Sequence, residues 1–209
     1  MKKLFFTLAI FTSLFSFAQK DKAAVDTMVA QFTQSLEDRG VLNYFSTTRY
    51  CDGNIEMIQM PNGRMCASKT TFYEVYVFWQ EESKNYGKKI DNCGIFASIE
   101  LTNGSVYEYF MDHVSDFEKN PVKPYSISKK ESGPVVGQGT EIHNCHHAFT
   151  FKDFDNEFSQ SYNLFDLTND AEEANTNYEY NKGLTLVTLD MMLDEAIIAI
   201  EESPNFIRI

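Results

Sequence analysis

The run His143-Asn144-Cys145-His146-His147 holds three of the chain's four histidines and one of its four cysteines. These are the residue types that bind metals or activate nucleophiles. Read as a strand, alternation puts His143, Cys145 and His147 on one face with Phe149 and Phe151, and Asn144, His146, Ala148 and Thr150 on the other. Neighbours on one strand face stand about 6.6 Å apart, so Cys145 and one adjacent histidine can converge on a zinc or copper ion. His143 and His147, about 13 Å apart, cannot share one. A closed site needs further ligands, for which Asp112 and His113 are the candidates. The favoured reading is plainer: Cys145 sits in a disulfide and the histidines are satisfied by hydrogen bonds at a sheet edge.

Other chemistries find less support. Cys145 beside His143 or His147 has the residue types of a thiol nucleophile, but no turn motif lifts it out of a strand. No G-x-S-x-G elbow is present. Asp153, Asp155 and Glu157 alternate as in a calcium loop, yet Phe158 and Leu164 stand where such a loop needs glycine and glutamate. An ordinary hairpin tip is expected there. Gly133, Gly137 and Gly139 lack the spacing of a phosphate cradle. The aromatic run Phe72 to Trp79, with Tyr107 and Tyr109, has the composition of a stacking surface but is assigned to the core.

The disulfide reading depends on compartment. Lys2 and Lys3 precede an apolar run from Leu4 to Phe17, and Ser16 and Ala18 stand at the small-residue positions of a cleavage site. About 14 apolar residues are too few to span a bilayer, where about 20 are needed. Residues 1–18 are expected to be a cleavable signal peptide, and residues 19–209 a single globular domain that is periplasmic or secreted, with no membrane span. In that compartment Cys51, Cys66, Cys93 and Cys145 are expected to form two disulfides. Proximity in the chain favours Cys51 with Cys66 and Cys93 with Cys145. Losing Lys2 and Lys3 moves the formal charge from −12 to about −14. So acidic a protein is poorly suited to nucleic acid or to anionic membrane surfaces.

The elements that must hold these residues follow from periodicity. Val25, Met28, Val29, Phe32 and Leu36 mark an amphipathic helix over 21–39, stopped by Gly40. Strands are expected at 55–60 and 64–67 around Pro61-Asn62-Gly63, and at 72–80, which is apolar on both faces and so central. Residues 93–101 and 105–110 are expected to form a hairpin with Gly104 left-handed, because that register buries no carboxylate. A long loop follows over 111–139, with a short helical turn near 112–118. Strands at 142–151 and 158–167 extend the sheet, and 166–181 is a polar surface stretch. Leu189, Leu193, Ala196, Ile197 and Ile200 mark a second helix, with Thr188 as N-cap and Pro204 beyond its end.

The expected fold is α+β: an antiparallel sheet of about six to seven strands covered by an N-terminal and a C-terminal amphipathic helix. The functional expectation is an exported, soluble binding or interaction protein for an unknown protein or small ligand, with no cofactor. The alternative is a metal-binding protein or metalloenzyme using zinc or copper at His143, Cys145, His146 and His147.

Overall fold

A computed structural model describes residues 18–127, 145–169 and 174–209. The proposed signal sequence up to residue 17 lies outside them, as does His143.

Helix α1 (Ala18–Glu37) ends as its sequence demands. Gly40 takes φ +83°, the Gly40 amide donates to the Glu37 carbonyl, and the Val41 amide reaches back to Leu36. This Schellman closure buries Leu36 and Val41 together. The chain then enters β1 (Asn43–Cys51), followed by a short hairpin of β2 (Met57–Gln59) and β3 (Met65–Ala67) that forms a separate two-stranded sheet. Next come β4 (Tyr73–Glu81), β5 (Lys84–Asp91), β6 (Gly94–Ile95) and β7 (Ile99–Leu101). Helix α2 (Ser105–Lys119) precedes β8 (Cys145–Asp153) and β9 (Asn156–Asn163). A short helix α3 (Tyr178–Lys182) leads into α4 (Thr185–Glu201).

The main sheet runs β6-β5-β4-β1-β8-β9, with β7 also on β5, and its pairings are antiparallel. The architecture is α+β as expected. Strand β4 is interior, and its two faces feed two cores: Tyr73, Val75, Val77 and Trp79 pack with α1, while Tyr76 and Phe78 join Phe45, Phe149, Phe151 and the inner sides of α2 and α4.

Three local expectations are corrected. Residues 105–119 form one helix that contains the expected turn near 112–118 but replaces the strand at 105–110, because Val106, Phe110 and Phe117 recur at helical spacing and bury one stripe on the sheet. Gly104 is therefore an N-cap with φ −82°, not a left-handed hairpin residue. Helix α4 starts at Thr185 after Leu184, so Thr188 lies inside it and its hydroxyl donates back to the Leu184 carbonyl. The polar stretch after 166 is not merely surface: Asn175 and Asn181 are buried. The Asn181 amide donates to the Lys123 and Asp166 carbonyls, and its oxygen accepts from the Lys123 amide.

Candidate functional site

The antiparallel register sets four polar residues in one row across four strands. His147 on β8 lies opposite Arg49 on β1, Arg49 opposite Glu74 on β4, and Glu74 opposite Asp91 on β5. Side chains of directly paired residues share a face, and this is the face that carries Phe45, Phe78 and Phe151 further along the strands. An aromatic floor thus gives way to a charged row at one end of the sheet.

Helix α4 and the C-terminal tail supply the counter-ions. Arg49 donates from Nη2 to Asp190 at 3.1 Å and pairs through Nη1 with Asp194 at 2.6 Å. Lys89 bridges Glu74 and Glu201, and the Tyr76 hydroxyl also donates to Glu201 at 2.7 Å. Arg208 grips Asp91 with both ends of its guanidinium and lies 4.2 Å over the Phe96 ring. The tail carrying it is held as an added strand segment, with Ala97 donating to Ile207 and Ile209 to Ile95.

Asp190 is the hub. One carboxylate oxygen accepts from His147 Nδ1 at 2.7 Å and from the Tyr162 hydroxyl at 2.6 Å, while the other accepts from Arg49. Burial pushes its pKa up, but His147, Tyr162 and Arg49 outweigh that and hold it below the usual aspartate value. The same carboxylate and burial push the Tyr162 phenol up. Burial opposes the charge on Lys89 as well, yet Glu74 and Glu201 hold its pKa above the ordinary lysine value. An ionised Asp190 can only accept, so Nδ1 of His147 carries the hydrogen of this contact.

Arg49, Glu74, Lys89, Asp91, His147 and Arg208 line a cleft of about 490 Å³, within the range of small-molecule sites. Asn54, Glu56 and Ile58, on and just before the β2–β3 hairpin, form one wall, with Phe72 and Phe96 as apolar surface. Two disulfides brace it. Cys51 and Cys145, both lining the cleft, bond across the β1–β8 pair with Cα atoms 3.9 Å apart. Cys66 on β3 bonds to Cys93 beyond β5 and pins the hairpin wall to the main sheet.

Two disulfides were expected, but the pairing differs from the proximity rule. Cys51 closes β1 at the register position facing Cys145. The hairpin that follows carries Cys66 away from Cys51 and toward the β5–β6 turn. Chain distance is a poor guide where a sheet brings remote strands into contact.

The histidine and cysteine run is split by the same geometry. Cys145 spends its sulfur on Cys51. His146 points to the opposite face, stacked on Tyr50 with its Nε2 3.4 Å from Asp52. His147 joins Asp190, and His113 stacks along α2 on Tyr109. Among the described residues no three His, Cys, Asp or Glu side chains converge as a metal site. The aromatic run 72–79 is core, as assigned, and the 153–157 segment is a hairpin turn.

What sequence inspection missed is the rest of the row, Arg49, Glu74 and Asp91, together with Lys89, Asp190 and Arg208, which pair with it. Only Asp190 carried a signal, being an acidic residue beside the apolar stripe of α4, and it lies inside that helix, past its first turn.

Fold and site together define an α+β protein with an ion-paired, disulfide-braced cleft at one end of an antiparallel sheet. Set against protein-family models, curated proteins and solved structures, the chain matches none of them.

Proposed function

We propose that this chain is an exported binding protein that holds a small polar ligand in the cleft between the charged row of the sheet, the β2–β3 hairpin and the C-terminal tail. The observation that carries this reading is where the polar groups lie. Burying three cations and their carboxylates against an aromatic core contributes little to stability compared with apolar packing. The fold nevertheless concentrates them beside an open cleft, and leaves the buried Arg49 Nε without a hydrogen-bond partner among the described residues. Export is supported by the signal-like N-terminus and by the absence of any free cysteine. Among the described residues no helix is long and apolar enough to cross a membrane.

A thermal-shift screen of the oxidised protein with a mixed set of small anions, cations and neutral sugars tests the reading. Hits that raise the melting temperature of wild type but not of Ile58→Trp, which fills the cleft from its hairpin wall, are expected. Hits indifferent to that substitution would overturn it. Intact mass of protein recovered outside the cytoplasm should begin at Gln19 with all four cysteines oxidised.

One observation favours a second reading. His147 lines the cleft and is oriented through Nδ1 by Asp190, the pairing that positions a general base. Turnover in a hydrolase panel that vanishes in His147→Ala would replace binding by catalysis.

A further inference from the structure

We propose that β9 is a strand-pairing interface for a second copy of this chain, two protomers joining antiparallel about a twofold axis at Ser159 to extend one sheet into the other. The two edges of the sheet are treated differently. On the β5 side the outer strands β6 and β7 have only two and three residues. The tail then covers them, with Phe96 bridging to Arg208, the Ala97 amide donating to the Ile207 carbonyl and the Ile209 amide to that of Ile95. Short strands and a covering segment both protect an edge from pairing with another chain.

Strand β9 has neither. It is eight residues long, pairs with β8 in unbroken register without a bulge, and contains no proline, lysine or arginine. Glu157 is its one charged residue. Among the described residues β9 ends the sheet on its side.

Register decides which backbone groups point outward. The two-residue turn Phe154-Asp155 joins β8 to β9, so Asp153 and Asn156 close the hairpin as a hydrogen-bonded pair. Alternation then turns the amide and carbonyl of Glu157, Ser159, Ser161 and Asn163 away from β8. Asp166 takes the Asn163 amide at 3.1 Å. The outward groups of Glu157, Ser159 and Ser161 meet no other backbone among the described residues.

These three positions are self-complementary. Antiparallel pairing centred on Ser159 sets that residue against its own counterpart and Glu157 against the partner's Ser161, which gives about six main-chain hydrogen bonds. No like charges meet, and the exposed side chains of Ser159 and Ser161 are small. An unrelated strand could use the backbone groups, but the match of charge and size favours the chain's own β9.

Sedimentation equilibrium of the oxidised protein over a concentration series reaching about 100 µM tests the proposal. A reversible dimer is expected, tightening as salt rises because each chain carries a formal charge of −12. Amide hydrogen exchange at Ser159 and Ser161 should slow as the dimer fills. Ser159→Lys and Ser159→Glu each place like charges face to face on the axis and should weaken the dimer about tenfold or more. An equal mixture of the two variants should recover it, which a misfolded variant could not do. A monomer at every concentration overturns the proposal. So does a dimer that is indifferent to both variants, or one in which the Ser159 and Ser161 amides exchange as fast as in the monomer.

Discussion

Replacing Asp190 with asparagine removes one negative charge from the hub of the site and leaves the shape nearly unchanged. Asp190 accepts from His147 at 2.7 Å, from Tyr162 at 2.6 Å and from Arg49 at 3.1 Å. An asparagine has one accepting oxygen and must turn its amide toward at least one of these donors. Hydrogen bonds to charged groups contribute roughly 1.5–3 kcal/mol, and removing one partner of a buried pair costs roughly 3–5 kcal/mol. A loss of about 3 kcal/mol follows, which for a chain of this length lowers the melting temperature by about 6–12 °C. Tyr162→Phe removes a single donor and should cost only about 1 kcal/mol.

The pH dependence carries the sign. The Asp190 carboxyl is held below its ordinary value of 3.8, so its contribution is complete above that pH and is lost as pH falls through the lower folded value. The gap between wild type and Asp190→Asn, measured by urea denaturation, should therefore be full at pH 6 and shrink by pH 3. A gap under about 1 kcal/mol at pH 6, or one that widens on acidification, would refute the reasoning.

Three further outcomes are expected. The β4–β5 turn holds Glu82 at φ +50° and Ser83 at φ +63°, so Glu82→Asn with Ser83→Gly, the residues such a turn prefers, should stabilise the fold by about 1 kcal/mol in thermal denaturation. Replacing both Cys51 and Cys145 with alanine opens a link spanning 94 residues and should cost about 4.7 kcal/mol, against about 3.6 kcal/mol for the Cys66–Cys93 pair spanning 27; urea denaturation of the two double variants checks the order. A methyl group at Gly87 would stand 2.4 Å from the Ile200 side chain, so Gly87→Ala should cost about 1–3 kcal/mol by forcing α4 or that side chain to move, and Gly87→Val more.

Legibility in the sequence followed how cleanly each element obeys one rule. Helix α1 has its apolar stripe and its Gly40 stop, and β4 is apolar on both faces because both are covered, so both could be read directly. Strand β5 could not. Its residues Lys84-Asn85-Tyr86-Gly87-Lys88-Lys89-Ile90-Asp91 look soluble, yet Lys88, Lys89 and Asp91 are buried. The turn before it also lacks the Asn-Gly that would announce a hairpin. Strand β1 mixes Ser, Thr and Arg among its aromatics, since its inward face passes from core into the charged row. Helix α2 was hidden by Val106, Tyr107, Tyr109 and Phe110, whose strand preference outweighed a helical spacing visible only out to Phe117. The site escaped for the same reason as β5: it is assembled by register from single residues on four strands, a helix and the tail, and no window of sequence contains it.

The central claim is that ligand binding happens at the charged end of the sheet. Backbone chemical-shift mapping of the oxidised protein, titrated with a hit from the screen, tests this most directly. The account predicts shifts concentrated at residues 49–58, 72–74, 89–91, 145–147 and 208, all removed by Ile58→Trp. Shifts confined to the opposite end of the sheet, around Leu42, Glu82 and Phe154, would contradict it.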